Sequence, residues 1–321
     1  MSVVLVILEG VGGKPAAVGL ELLALARTLA GGGRVAALAP GADERVAQIL
    51  IAQGADTVYV SDNPAAAAYS SDAWTGCAER LARELNPAVI LAAHNSAGAD
   101  LAPRLAFRLD YGCATGCVAI DDPNGALHFT RPCYGGNARE TVSFNSRPAV
   151  ATVRPGIYRA APADVMRSGG IIVVALPPSR VRVIERKRDN GGAQRLEDAK
   201  VIIAGGRGLN GAEGFKVLEP LAAILGGAVG ASRVPCDLGW CSHAMQIGLT
   251  GKTVTPELYI AVGISGASHH LAGCGNAKTI VAINSDADAA IFRDAKFGVI
   301  GDYAKVVPAL TAAIRALPVV M

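Results

Sequence analysis

Short apolar runs that alternate with amphipathic segments leave this chain few architectures. SVVLVILEG (2–10) reads as a buried strand. PAAVGLELLALARTLA (15–30) follows as a helix with Val18, Leu22, Leu25 and Leu29 on one face. The unit then repeats: strand RVAALAP, helix DERVAQILIAQ, strand TVYVSD, a helix through 72–85, strand AVILAAH, helix ADLAPRLAFRL. Four such β–α units predict an α/β fold with an open, doubly wound, mainly parallel sheet. From 119 to 155 the rhythm changes to the short strands HFTRPCYGG, RETVSFN and AVATVRPG, separated by Gly, Asn and Pro. They predict an antiparallel extension of the same domain.

IIVVALPP and the basic run RVRVIERKR (180–188) come next, the latter read as a solvated linker. KRDNGGAQRLEDAK (187–200) is polar, glycine-containing and weakly periodic, so the domain boundary is placed there. Two domains are expected, 1–190 and 191–321, because 321 residues is long for one. The second begins with KVIIAGGRGLNGAEGFKVLEPLAAILGG, a strand, a glycine turn and a helix. AVGASR, LYIAVG, TIVAIN and FGVIGD supply further strands, and a last helix runs from about 303 to 317. A second open parallel sheet is therefore expected, Rossmann-like in layout.

Hydrophobic residues make up 51% of the chain, which is ample for two cores. A net charge of +3 gives no argument for nucleic acid. The seven cysteines are odd in number and contain no CxxC, so reduced thiols in a cytoplasmic setting are expected. MSVVLVILEG enters a strand at once, so no targeting segment is expected. No apolar run reaches about 18 residues without a charge or breaker, so no membrane span is expected either.

GKT at 251–253 looks like the end of a phosphate-binding loop, but the first glycine of that motif would fall on Gln246, and the run leads into Pro256. Gly206-x-Gly208-x-x-Gly211 follows a strand and precedes a helix, as a dinucleotide fingerprint does. The next strand, however, ends in Ser232 and Arg233 where an acid would hold the ribose, so an anionic or electron-rich ligand fits better than NAD in its usual pose. His269, His270 and Cys274 lack the further ligands a metal needs. Gly263-Ile264-Ser265-Gly266-Ala267 places a strand end, a turn and a helix N-terminus in sequence, a setting for pyrophosphate. Thr250 offers a hydroxyl, and Asn284 and Asp302 stand at strand ends, where ligands of open α/β sheets lie.

GLTGKTVTPELYIAVGISGASHHLAG (248–273) resembles the FAD-binding domain of the electron transfer flavoprotein alpha subunit, the FixB family, whose signature runs close to G-Q-T-G-K-x-V-x-P-x-L-Y-I-A-x-G-I-S-G-A-x-Q-H-x-A-G-M. The likeness extends to GGRGLNGAEGF, AVGASR, IVAIN and the GD before VVPAL, and through RLAFRLD, TRPCYGGNA and ATVRPG into the first domain. The resemblance implies an electron carrier, not an enzyme in itself, that holds FAD and pairs with a beta subunit. In that family, electrons pass from acyl-CoA dehydrogenases or similar flavoproteins to a further acceptor; some relatives form bifurcating complexes. A stand-alone NAD-linked dehydrogenase and a non-redox nucleotide-binding module remain as alternatives.

The same resemblance carries residue roles by position. Arg233 is implied beside the isoalloxazine, where a fixed cation favours reduced, negatively charged flavin. Thr250 is implied near flavin N5, at the end of a contact loop that includes Ile247, Gly248 and Leu249. His270 is implied near the C2 carbonyl, with His269 beside it. Ser265, Gly266, Ala267 and Ser268 are implied around the pyrophosphate or ribityl. Asn284, Asp302 and Tyr303 fall to the ribityl–adenosine end, with Arg207 and Ser232 as further contacts. The chain departs from the pattern at Leu249 and His269, both Gln in the signature, and at Cys274, a Met there. A second imidazole beside the flavin is expected to make its potential vary with pH between about 5 and 8. Replacing His269 with Gln should flatten that slope in a redox titration; an unchanged slope would exclude the role.

Overall fold

The computed structural model of the chain describes residues 2–11, 14–61, 63–122, 125–136, 138–145, 148–181, 184–185 and 196–317. Two compact units emerge, one holding 1–134 and 138–188, the other 135–137 and 189–321. Most of the expected linker (187–195 of 187–200) and part of the basic run (182, 183 and 186–188) lie outside the described residues.

The first unit opens with β1 (Val3–Ile7), a small hairpin β2 (Gly10–Val11) and β3 (Lys14–Pro15), then α1 (Ala17–Ala30). It continues through β4 (Arg34–Leu38), α2 (Glu44–Ala52), β5 (Thr57–Val60), α3 (Ser71–Leu85), β6 (Val89–Ala93) and α4 (Ser96–Leu109). Asp43 caps α2 by accepting the Val46 N–H at 2.8 Å, and Asn95 caps α4 by accepting that of Gly98 at 3.0 Å; each satisfies a first-turn donor that the helix cannot. β7 (Gly112–Cys117), β8 (Ala119–Asp121), β9 (His128–Cys133), β10 (Ala138–Ser143), β11 (Ala149–Val153) and β12 (Gly170–Val173) complete the unit.

Seven strands form one parallel sheet in the order β12-β5-β4-β1-β6-β11-β7. α1 and α2 contribute to the core on one face, around Leu22, Leu23 and Leu50, and α3 and α4 to the other, around Trp74, Leu101 and Leu105. The sheet is therefore doubly wound, as the alternating pattern predicts. One expectation is corrected. β8, β9 and β10 do form an antiparallel sheet, but β11, expected with them, is inserted between β6 and β7 in the main sheet. All five of its residues are buried. AVATV is apolar on both faces, the mark of a central parallel strand, and that outweighs its position among polar hairpin strands.

The second unit contains β13 (Val201–Gly205), α5 (Glu213–Lys216), α6 (Glu219–Ile224), β14 (Ala228–Ala231), α7 (Arg233–Asp237), β15 (Leu258–Val262), α8 (Ser268–Cys274), β16 (Ile280–Asn284), β17 (Phe297–Ile300) and α9 (Tyr303–Ala316). Its sheet is wholly parallel, in the order β14-β13-β15-β16-β17. After β13 the chain goes to β14 on one side and then to β15 on the other. The switch point lies between β13 and β15, and a crevice opens beyond their carboxyl ends. The glycine fingerprint does not open a helix directly. Arg207–Leu209 makes one 3-10 turn, Asn210 is left-handed (φ 55°), and α5 starts only at Glu213.

Asp56 ties three separate parts of the first unit together. It accepts the Val35 N–H at 2.8 Å and pairs with Arg27 and Arg167. Burial alone would raise its pKa, but the Val35 N–H and the two guanidinium groups outweigh burial and hold the carboxyl below its ordinary value. A carboxylate whose folded pKa is depressed stabilises the fold above its unfolded pKa of about 4 and loses that effect as pH falls through the folded value. Asp56→Asn is expected to cost about 1–2 kcal/mol at pH 7 and to remove part of the acid sensitivity. Urea unfolding at pH 7 and pH 3 checks this; equal midpoints for wild type and variant at pH 7 would contradict it.

Candidate functional site

The crevice of the second unit is a cleft of about 780 Å³, within the usual range for small-molecule and cofactor sites. Its floor is made where two glycine turns touch. Gly206 N–H donates to the Val262 carbonyl at 2.8 Å, and Gly208 N–H to that of Gly263 at 3.0 Å. A Cβ on Gly206 would lie 2.2 Å from the Gly263 oxygen, so the approach is open to glycine alone. Arg207 and Asn210 line the cleft from the 3-10 turn that follows.

One wall comes from the end of β14. Ser232 caps α7 without a side-chain bond, and Arg233 begins that helix. The Arg233 side chain is two-thirds exposed and its Nε donates to Asp237 at 3.0 Å. Arg233 and Val234 face the cleft.

The adjoining wall is the 246–250 loop, which runs beside the end of β14. It is pinned to β14 by Ile247 N–H donating to Ala231 (2.8 Å) and to α8 by Leu249 N–H donating to His269 (2.7 Å). Gln246 is buried and organises the loop: Nε2 donates to Thr250 Oγ1 at 3.0 Å, and its Oε1 lies 3.3 Å from His243 Nδ1. Because Thr250 Oγ1 accepts from Gln246, its own O–H remains to donate into the cleft.

The third wall is the turn into α8. Gly266 is left-handed (φ 87°), and a Cβ there would meet the Ile291 nitrogen at 2.2 Å. Ala267, at the N-cap, gives no side-chain cap, so the first N–H groups of α8 have no side-chain acceptor. Ser265, Ala267, His269 and His270 line this wall, and Asn284 and Asp286 continue it from the end of β16. Asn284 Nδ2 is held by the Ile264 carbonyl at 2.9 Å.

Known proteins bear out the sequence resemblance at both ends of the chain. The profile of the electron transfer flavoprotein domain matches residues 4–179, and that of the electron transfer flavoprotein FAD-binding domain matches 195–275. The electron transfer flavoprotein subunit alpha of Thermoanaerobacterium thermosaccharolyticum is 43% identical over 95% of this chain and 95% of its own. That of Bacillus subtilis is 42% identical over 92% of each, and the protein FixB of Clostridium saccharobutylicum 39% identical over 92% and 91%. The chain belongs to the electron transfer flavoprotein family.

Its cofactor is accordingly FAD, and the residues present in this electron transfer flavoprotein chain fit that group. Two arginines, an uncapped helix start and a free hydroxyl suit a ligand that joins a diphosphate to a polar ring. Of the residues singled out from sequence, Arg207, Ser232, Arg233, Ile247, Gly248 and Leu249 line the cleft. So do Thr250, Ser265, Ala267, His269, His270 and Asn284. Gly266, Ser268, Asp302 and Tyr303 do not. Asp302 caps α9 by accepting the Ala304 N–H at 2.9 Å, and Tyr303 donates to the Leu209 carbonyl at 2.9 Å, bracing the 3-10 turn.

His270 lines the cleft, but its polar atoms are already engaged. Nδ1 donates to the Ile247 carbonyl at 3.1 Å, so Nε2 is the acceptor for the Tyr259 hydroxyl at 2.9 Å. Both ring nitrogens are thus engaged within the chain. Gln246, Asn210 and Asp286 were missed. Gln246 carried a signal, since it stands where a phosphate loop would need glycine; Asn210 and Asp286 carried none beyond being polar in turns.

Burial lowers the His270 pKa to about 4, against a smaller opposing effect from the Ile247 carbonyl. An unfolded histidine protonates near 6.5, so the unfolded chain gains protons first as pH falls. Stability carried by neutral His270 is therefore whole above about pH 6.5 and drains away toward pH 4, by about 3 kcal/mol. His270→Gln should lack this slope. Urea unfolding followed at Trp240, with Trp74 replaced by Phe, checks it from pH 7 to 4; parallel slopes in both proteins would contradict the assignment.

Proposed function

We propose that this chain is the alpha subunit of a heterodimeric electron transfer flavoprotein. It holds FAD in the second unit and shuttles electrons between acyl-CoA dehydrogenase-type flavoproteins and a downstream acceptor. Residues 1–190 act as scaffold and beta-subunit contact, and 191–321 as the FAD domain. The complex works in the cytoplasm, a reducing setting in keeping with seven free thiols. Among the described residues no helix is long and apolar enough to cross a membrane.

The observation that carries this reading is the pairing of an exposed cation with an oriented hydroxyl donor on the same cleft. FAD supplies the redox chemistry; the chain's residues bind, orient and tune it. Arg233 brings a cation to one side of the cleft. The Thr250 hydroxyl, oriented by Gln246, brings a neutral donor from the adjoining loop. Such a pair favours negative charge on the ring system and raises its potential. An NAD-linked dehydrogenase is the poorer reading: β14 ends at Ala231, followed by Ser232 and Arg233, and no acid stands there for a ribose.

Arg233→Ala is expected to lower the two-electron potential of the purified complex by about 30 mV, the equivalent of about 1.4 kcal/mol. Thr250→Ala should lower it in the same direction. Stepwise anaerobic reduction with an indicator dye reads both. Potentials unmoved by either substitution would mean that the flavin ring does not lie against these two walls.

A further inference from the structure

Arg233 and Gln246 both line the cleft, and the chain between them doubles back on itself. Gly239 turns it with φ 71°, and Trp240 N–H returns to the Pro235 carbonyl at 2.9 Å. This turn brings Cys236, on α7, to Cys241, with the two Sγ atoms 3.5 Å apart. A disulfide needs them at about 2.05 Å, and the difference is within reach of small side-chain and backbone adjustments. Cys236 Sγ also lies 3.5 Å from the Ser232 carbonyl and 3.6 Å from that of Ser242, as Cys117 and Cys274 lie 3.6 Å from those of Ala114 and His270, but Cys236 has the second sulfur in addition. We propose that Cys236 and Cys241 form a reversible dithiol–disulfide centre, oxidised by small linear disulfides, whose closure stiffens the rim of the cleft. The pair stands independently of what the cleft binds.

Access decides the order of events. Cys236 is buried at 3% exposure, whereas Cys241 is half-buried, so Cys241 meets the oxidant. Cys241 loses its proton to solvent, and its thiolate attacks one sulfur of R–S–S–R. One R–S⁻ leaves and takes up a proton. Cys236, deprotonated in turn, attacks the Cys241 sulfur of the mixed disulfide and expels the second R–S⁻. In sum, two thiols and R–S–S–R give one protein disulfide and two R–SH. The two electrons lost by the cysteines reside in the released thiols. Burial, with a contribution from Cys236, pushes the Cys241 thiol up to about 12. The reaction is therefore slow at neutral pH and quickens with base.

The test uses the full chain purified with its co-expressed partner and oxidised glutathione as the probe. After oxidation, free thiols are alkylated and the peptide holding both cysteines is weighed. The expected product lacks alkyl groups, is lighter by two hydrogens, and reverts with dithiothreitol. It should form about tenfold faster for each unit of pH below the Cys241 pKa. Cys236→Ser should trap glutathione on Cys241, and Cys241→Ser should yield no adduct on buried Cys236. Hydrogen exchange of the amides from 237 to 246 should slow in the closed form. Full alkylation of both wild-type cysteines after oxidation, a persistent glutathione adduct on wild-type Cys241, a disulfide between two chains, or unchanged exchange in the closed form would each overturn the proposal.

Discussion

Everything in the second unit depends on two backbone turns meeting without side chains between them. Gly206 and Gly208 lie against Gly263 so closely that a Cβ on Gly206 would stand 2.2 Å from a carbonyl oxygen, and one on Gly208 2.9 Å from the Gly263 Cα. That contact joins the carboxyl ends of β13 and β15 at the switch point and makes the floor of the cleft. From this floor, Arg207 rises on one side and the Ser265–Ala267 turn on the other. The glycines do not cradle the ligand through a helix dipole, as the dinucleotide fingerprint would have it, because α5 starts only at Glu213. They create the space, and other residues fill its edges.

Those edges divide by charge. The cationic side is exposed: among the described residues Arg233 pairs with Asp237 at the surface, an interaction worth little in water. The neutral side presents an exposed Thr250 on a buried anchor. Tyr259, His270 and the Ile247 carbonyl form a closed chain of hydrogen bonds in which every partner is satisfied. His270 thus sets the position of the 247–250 loop without bringing a positive charge to it, and the loop in turn presents Thr250. A protein that tunes a ring's potential gains from this division, since the anchored wall sets geometry while the exposed cation sets charge.

Much of this was legible in sequence, and for definite reasons. The alternating runs fixed the parallel sheets, because a buried strand and an amphipathic helix have different periods. The long motif from Gly248 to Gly273 located the cleft, since it carries both the loop and the turn into α8. β11 was misplaced because its neighbours in sequence are hairpin strands, while its partners β6 and β7 lie far from it along the chain. The engagement of both His270 nitrogens could not be read at all: Tyr259 lies eleven residues away on another element, and only the fold brings the two rings together. Asp302 and Tyr303 carry a further role that sequence did not show. They stand just beyond a strand end, as expected, and there cap a helix and brace the Arg207–Leu209 turn.

The account rests on FAD occupying this cleft, and its most direct test is a titration of the flavin-stripped complex with FAD, followed by visible absorbance. One FAD per chain should bind to the wild type. Ala267→Trp, which places a large ring at an exposed lining position and leaves the core untouched, should keep its far-ultraviolet circular dichroism and lose binding at least tenfold. No uptake by the wild type, or equal uptake by a folded Ala267→Trp variant, would contradict the assignment of the cofactor to this site.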